Sequence, residues 1–472
     1  MKILFLQREP IVQMGIMSIS AMAKRAGHQS FLLVENLEEN FDGEVRRLNP
    51  DIIAFSVTTG YHNWACRIAK RIKTFSTAKI ILGGCHATFF PEVIDNDGID
   101  IICRGEGDLV IVELLEELSK KEPVEYIKNL WVKKNGMIYQ NDLRPLVQNL
   151  DSLPFFDRTL YDRYRYLKLY YEHHMFFMTS RGCPFDCSYC FNRSMRELYL
   201  QQRYIRRRSV DNVISELKEV KNRYQVTGIQ FLDDNFIQDS DWLLQFCQIY
   251  EREINLPFTC AGHVNFINRE VVRSLKKAGC VTIKLGLEAG NDYIRCKILN
   301  RNISKERIYE ACQIIKKEKL NLLTFNMMGY PNSSLKEEFE TLEMNIKIKP
   351  KFSICYMVTP YPKTQITEYA IKNGYLDANF DFDNLSNSAF KTTPFKLKNK
   401  NEVINLHKFF MIVVDFPFLL PLVKVLIKIR PNNTYYNIFQ FYYAYILWRA
   451  DRLSLMDFLE FGLKTKTYFR PR

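Results

Sequence analysis

No apolar run in this chain reaches the ~20 residues that a membrane-spanning helix needs. The most apolar stretch, Phe409 to Val423, is broken by Asp415, Pro417 and Pro421 and closed by Lys424, so a spanning helix is not expected. No secretory leader is read either, because Met1-Lys2-Ile3-Leu4-Phe5-Leu6-Gln7-Arg8 meets charge too soon for an apolar leader core. Without a leader, 12 cysteines in 472 residues do not read as a disulfide framework. A reducing cytoplasm is the expected compartment. Cys247, Cys260, Cys280, Cys296, Cys312 and Cys355 lie scattered among apolar segments, where free cysteine behaves as a small hydrophobe and needs no other role.

What is present is ample core material: 47% hydrophobic and 14% aromatic residues, in a length that suggests two or three domains. The formal charge of +13 is unevenly placed. From Lys391 to Arg472 there are 14 Lys and Arg against 5 Asp and Glu, a net of +9. That tail mixes its charge with the apolar runs Phe409 to Val414 and Phe416 to Val423 and the aromatics from Tyr435 to Trp448. Such a mixture suits peripheral contact with a membrane surface or an anionic partner; an ordinary helical cap is the alternative. Its long apolar runs read as helices, not as the short alternating strands of an RNA-binding barrel, and nucleic acid is not an expected partner.

Over residues 1–125 short apolar runs alternate with amphipathic stretches. Lys2 to Gln7, Ser30 to Glu35, Asp51 to Thr59, Lys79 to His86 and Ile99 to Glu106 are predicted strands, and Trp64, Ile68 and Ile72 mark one face of a helix between the third and fourth. This alternation predicts a doubly wound parallel sheet whose ligand lies outside the carboxyl ends of the strands. The loops there carry Ser56, Thr58, Thr59, Gly83, Gly84, Thr88, Gly105 and Gly107; small residues let a flat ligand approach the backbone, though glycines after strands are also plain turn chemistry.

Residues 126–172 read as a hairpin turning at Asn135-Gly136, then a linker through Leu150 to Pro154. Tyr164, Tyr166, Tyr170 and Tyr171, within the aromatic segment Tyr161 to Phe177, suit either a pocket mouth between domains or a packing surface. Over 173–390 the alternation resumes, with strands near Met175–Thr179, Gly228–Leu232, Thr259–His263, Val281–Gly286, Leu322–Met328 and Ser353–Val358. Six such units predict a partial (β/α)6 TIM-like barrel, followed over 391–472 by a mostly helical region.

Directly after the first barrel strand stands Cys183-Pro184-Phe185-Asp186-Cys187-Ser188-Tyr189-Cys190. Three thiolates at C-x3-C-x2-C spacing suit three irons of a cubane and leave the fourth open for chemistry. A zinc knuckle borrowing a fourth ligand, or three unconnected core cysteines, are the alternatives. The motif, with Tyr189 before its third cysteine, resembles the signature of the radical S-adenosylmethionine enzymes. The resemblance implies that Cys183, Cys187 and Cys190 hold a 4Fe-4S cluster and that Tyr189, Asp233, Asp234 and Glu288 of Gly286-Leu287-Glu288 meet S-adenosylmethionine. Helix capping is the alternative role for Asp234 and Asn235. Arg206-Arg207-Arg208-Ser209 resembles the family's entry to the next helix, while a solvated charge run is the simpler account.

Pro50-Asp51-Ile52-Ile53-Ala54-Phe55-Ser56, Gly83-Gly84-Cys85-His86-Ala87-Thr88 with Pro91-Glu92, and Arg104-Gly105-Glu106-Gly107-Asp108 resemble the cobalamin-binding domain that precedes the radical domain in one large subfamily. The resemblance implies cobalamin contacts from Ser56, Thr58, Gly83, Gly84, His86, Thr88, Gly105 and Glu106. One departure from mutase-type cobalamin proteins is plain: the loop after the first strand, Arg8-Glu9-Pro10-Ile11-Val12-Gln13-Met14-Gly15, has no histidine. His86 or His62 as an axial ligand is weighed against a hydrogen-bonding loop role.

The subfamily implies C-methylation of an unactivated carbon through a 5'-deoxyadenosyl radical and methylcobalamin, with an electron donor such as flavodoxin or ferredoxin and a small-molecule, lipid or natural-product substrate. Oxidative cyclisation or rearrangement uses the same cofactors. A methylthiotransferase, with Cys66, Cys85 and Cys103 as a second cluster, and a non-catalytic cobalamin or cluster sensor are the further alternatives.

Overall fold

The computed structural model describes residues 1–164, 167, 174–385, 388–451 and 456. Among them an N-terminal seven-stranded sheet runs in the order β2-β1-β3-β4-β5-β6-β7. Its first five strands are parallel: β1 (Lys2–Gln7), β2 (Gln29–Val34), β3 (Ile52–Ser56), β4 (Lys79–Gly83) and β5 (Ile101–Cys103). Alternate residues divide between two cores. Ile3, Phe5, Ile52, Ala54 and Ile81 face the helices Met14–Arg25 and Asp108–Lys120. Leu4, Leu6, Ile53, Phe55, Ile80 and Leu82 face Val45, Trp64, Ile68 and Ile72 on the other side. Burial on both faces explains why these strands read as unbroken apolar runs.

The third and fifth strands are shorter than their apolar runs predict, ending at Ser56 and Cys103. This frees the polar residues after them as loops. The Asn-Gly hairpin forms, with Asn135 and Gly136 both at positive φ. Its strands β6 (Leu130–Lys134) and β7 (Met137–Gln140) extend the sheet, β6 pairing antiparallel with β5. Of the aromatic segment, Tyr161 and Tyr164 are packing residues. Tyr161 donates to Gln7 Oε1 (2.9 Å) and Tyr164 to Glu38 Oε1 (2.6 Å); Tyr166, Tyr170 and Tyr171 lie outside the described residues.

The second sheet contains six parallel strands in the order β15-β14-β13-β12-β11-β8. They are β8 (Met175–Phe177), β11 (Ile229–Phe231), β12 (Phe258–Gly262), β13 (Cys280–Glu288), β14 (Asn321–Met328) and β15 (Phe352–Met357). The short antiparallel pair β9 (Ser180–Arg181) and β10 (Arg206–Arg207) lies between the first two in sequence. The helix Lys400–Asp415 packs on the far edge, sharing a core with Leu323, Phe352 and Ile354. No helix among the described residues is long and apolar enough to cross a membrane.

Candidate active site

Cys183, Cys187 and Cys190 lie between β9 and the helix Phe191–Leu198, all as free thiols. Their loop is pinned from several sides. Ser188 donates its backbone N–H to Leu299 O (2.9 Å) and its hydroxyl to Ile298 O (2.6 Å), and its carbonyl accepts from Ile366 N at 3.0 Å. Phe185 stacks on His263 with ring centroids 3.6 Å apart. Gly182, at φ +91°, is required before the first cysteine, since a Cβ there would stand 2.8 Å from Tyr204 O.

Donors reach two of the sulfurs: Arg301 Nη1 lies 3.5 Å from Cys187 Sγ, and Asn192 Nδ2 lies 3.7 Å from Cys190 Sγ. Burial pushes the Cys183 and Cys190 thiols each up to about 11, so iron has to displace their protons. Among the described residues no three His, Cys, Asp or Glu close around a single ion. A cubane, whose ligands sit on separate irons, makes no such demand.

The two strand-end aspartates divide their roles. Asp233 is buried, and its Oδ1 accepts from Thr179 N (3.0 Å), Thr179 Oγ1 (2.7 Å) and Ser180 Oγ (2.5 Å). It latches the end of β8 to β11, so the expectation of a free ligand carboxylate at Asp233 is corrected. Asp234 has an exposed edge but turns its carboxyl towards the cysteines, where its charge helps raise Cys183 and Cys190. Burial of that carboxyl raises its pKa, with Asp233 adding to the shift and a hydrogen bond with Asn192 opposing it.

Glu288 sits at φ +65° where the β13–β14 register shifts. Its carboxylate folds back over Gly286: a Cβ at that position would lie 2.3 Å from Glu288 Oε1. The glycine two residues earlier leaves room for the carboxylate in this position. Burial raises the Glu288 carboxyl, opposed by Arg301 and by a hydrogen bond with Tyr189. Arg301 Nη2 donates to Gly286 O at 2.6 Å, so Tyr189, Glu288, Arg301 and Cys187 form one connected group. Arg301 was missed in the sequence because a lone arginine between two asparagines carries no spacing signal; only the turn after Leu299 brings it back to the strand end.

At the carboxyl ends of the N-terminal sheet a cavity of about 70 Å³ is lined by Ser56, Gly83, Gly84 and Gly105, with Phe5, Ile16 and Ile111 among its apolar walls. Thr88 braces its rim, donating to Gly84 O (2.9 Å) and accepting from Gly105 N (3.0 Å). Thr58 is exposed nearby on the β3 loop.

Two other expected contacts are used elsewhere. His86 is sandwiched between His62 (3.7 Å) and Phe90 (5.2 Å), with Nδ1 held by Thr59 Oγ1 at 3.0 Å. Burial, with His62 beside it, lowers its pKa to about 3. His62 Nε2 meets Asp383 Oδ1 at 2.8 Å. Both rings serve packing, which favours the loop role over axial ligation. Glu106 pairs with Arg206 Nη2 (2.9 Å) and Arg181 Nη1 (3.0 Å), so it joins the two α/β units instead of offering a free carboxylate to a ligand.

The arginine run is likewise not solvated. Arg206 and Arg208 are buried, Arg208 pairing with Glu216 at 2.5 Å, while Arg207 stacks over Trp242 at 4.4 Å. Ser209 does cap the next helix, accepting from Asn212 N at 3.1 Å.

The Radical SAM superfamily matches residues 177–344 and the B12 binding domain residues 8–115. An uncharacterized methyltransferase of Pyrococcus horikoshii is 32% identical over 342 residues, which cover 70% of this chain and 72% of the relative. The chain belongs to the radical SAM superfamily. An anaerobic magnesium-protoporphyrin IX monomethyl ester cyclase of Cereibacter sphaeroides is 25% identical over 361 residues, 73% of this chain and 58% of that protein. The fold is that of TsrM of Kitasatospora setae, a radical S-adenosylmethionine methyltransferase solved with cobalamin and a 4Fe-4S cluster. The TM-score is 0.66 at 12% identity, covering 79% of this chain and 75% of that one.

The cofactors of this radical SAM enzyme are therefore a 4Fe-4S cluster, S-adenosylmethionine and cobalamin. The residues present fit them. Three thiols with two sulfur-directed donors suit a cluster, and the small-residue cavity at the strand ends, about 70 Å³, has room for one part of a cobalamin. Cys66 lies on the helix His62–Lys73 and Cys103 inside β5, so with Cys85 they share no strand-end loop for a second cluster.

Proposed function

We propose that this radical SAM enzyme methylates an unactivated carbon of a small, lipid-like or natural-product substrate. When bound, the cluster and S-adenosylmethionine supply a hydrogen-abstracting radical and cobalamin supplies a transferable methyl group. The observation that carries the reading is the ion-pair clamp between the two α/β units. Arg181, two residues before Cys183, pairs with Glu106 (3.0 Å) of the loop after β5 and with Asp108 (2.8 Å), the first residue of the helix that follows. Cysteine loop and glycine-rich strand ends are thus held at one interface, as a substrate passing between two reactive centres requires.

Within that arrangement Cys183, Cys187 and Cys190 would hold iron. Asp234 would receive the ammonium of S-adenosylmethionine, while Tyr189 and Glu288 would border it and Arg301 would orient Glu288. Ser56 and Gly83 would leave room for cobalamin at the strand ends, where Gly84 and Gly105 make room for Val57 and Tyr199 of the protein itself, and Phe5, Ile16 and Ile111 would exclude water beneath it. An external one-electron donor of the flavodoxin or ferredoxin type completes the system. The cyclase relative supports a second reading, oxidative cyclisation with the same cofactors.

The deciding experiment supplies reduced, cofactor-loaded enzyme with methyl-deuterated S-adenosylmethionine and an apolar extract. Methylation yields labelled product with 5'-deoxyadenosine and S-adenosylhomocysteine in equal amounts. Cyclisation yields 5'-deoxyadenosine alone, and the triple alanine variant of Cys183, Cys187 and Cys190 yields neither.

A further inference from the structure

The segment following the helix Lys400–Asp415 departs from the ordinary pattern of a surface helix. A 3-10 turn, Pro417–Leu419, leads into the helix Leu420–Leu426 and a final turn to Ile429. Its inner face is seated: Val423 and Ile427 are each 2% exposed and share a core with Phe409 and Val413. Asn405 Nδ2 donates to Ile427 O (3.0 Å) and Ile429 O (2.6 Å), and Tyr435 donates its hydroxyl to Leu426 O at 3.2 Å.

A helix anchored on one apolar face normally presents polar residues on the other. Here Phe418, Leu422, Val425 and Ile429, at spacings of four, three and four, are 76%, 55%, 63% and 51% exposed. Exposed Ile438, Phe441 and Tyr445 repeat the pattern on the helix Asn433–Asp451, which is tied to the first segment by Tyr435 and by Tyr442 donating to Asp415 Oδ2 at 2.5 Å. Scattered exposed hydrophobes need no explanation, but a periodic row does.

The charges within the stretch that carries the row have one sign. Lys424, Lys428 and Arg430 are exposed beside it, and no Asp or Glu occurs between Asp415 and Asp451. A second copy of the chain is disfavoured as the occupant, because joining two such stretches would bring their cations together with no acid of their own to pair them. An anionic bilayer satisfies both features: apolar side chains enter the headgroup–acyl boundary, and Lys and Arg meet lipid phosphates. We infer that the face formed by Phe418, Leu422, Val425 and Ile429, bordered by Lys424, Lys428 and Arg430, docks in the plane of an anionic lipid surface. The inference is independent of which reaction the enzyme performs.

The test is co-sedimentation of the full-length, cofactor-loaded enzyme with phosphatidylglycerol–phosphatidylcholine vesicles and with phosphatidylcholine vesicles. Wild type is expected to bind the anionic vesicles and to bind the neutral ones far less. The quadruple variant Phe418→Ser, Leu422→Ser, Val425→Ser, Ile429→Ser should lose on the order of tenfold or more in binding even at low salt. The triple variant Lys424→Glu, Lys428→Glu, Arg430→Glu should bind both vesicle types equally weakly. Iron content and Tm control for folding, and Phe418→Ser alone, changing one outward side chain, should still weaken binding severalfold. The inference is overturned by wild type that ignores anionic vesicles, by variants that bind as wild type does, or by a wild-type dimer that the quadruple variant converts to monomer.

Discussion

Arg181 and Asp108 meet in a two-pronged ion pair, Nη1 to Oδ2 at 2.8 Å and Nη2 to Oδ1 at 3.0 Å. Asp108 also accepts from Ser18 Oγ at 2.5 Å. Burial would raise the Asp108 carboxyl, but the charge and hydrogen bonds of Arg181 outweigh it and hold the group below its ordinary range. The pair fastens the approach to Cys183 to the first turn of the helix Asp108–Lys120.

Asp108→Asn leaves the partly buried Arg181 guanidinium with Glu106 as its remaining acidic partner there. Losing one member of a fully buried pair costs about 3–5 kcal/mol, and the remaining partner puts this loss below that range. The variant should therefore melt at a distinctly lower temperature and retain less iron after anaerobic gel filtration, measured against wild type prepared in parallel.

Asp233 and Asp234 are neighbours with different tasks, and asparagine at each should separate them. Asp233→Asn weakens the latch to Thr179 and Ser180 and should destabilise by about 2–4 kcal/mol. Asp234→Asn should change stability by less than about 0.5 kcal/mol while reducing S-adenosylmethionine affinity in equilibrium dialysis. Equal melting losses in both variants would contradict the division.

Gly286→Ala places a methyl group where Glu288 Oε1 now lies, 2.3 Å away. The carboxylate must move, and Tyr189 and Arg301 lose its present position. Iron content should stay near wild type, because the cysteine loop is pinned independently by Ser188, whereas S-adenosylmethionine binding should fall roughly tenfold or more.

His86 and His263 are buried and uncharged, with burial the main cause that lowers each to about 3. Their folded pKa lies below the unfolded value of about 6.5, so the unfolded chain binds more protons and stability falls as pH drops below 6.5 toward 3. Each should cost about 2 kcal/mol by pH 5. His86→Phe, which keeps the ring stack, should show a smaller drop in Tm between pH 7.5 and pH 5 than wild type shows.

Much of the framework was legible because its signals are local. Buried parallel strands read as unbroken apolar runs, and the three cysteines fall within eight residues, so neither needed distant information. The spacing of Gly286 and Glu288 was also legible, although its reason, a carboxylate folded over a bare backbone, became visible only in the bulge at β13. By contrast, Glu106 was expected at a ligand and is instead bound by Arg206, a hundred residues away. The arginine run was expected in solvent, yet Arg206 finds the partly buried carboxylate of Glu106 and Arg208 the buried one of Glu216.

Local spacing alone determined the strand and helix alternation, the three-cysteine loop and the small-residue strand ends, because backbone periodicity and the spacing of cysteines within one loop are properties of neighbouring residues. The tertiary structure decided which charges remain open to a ligand. A buried carboxylate or guanidinium must be paired wherever the fold delivers a partner, and the fold delivered Arg181 to Asp108 and Thr179 to Asp233 while leaving Asp234 facing the cysteines.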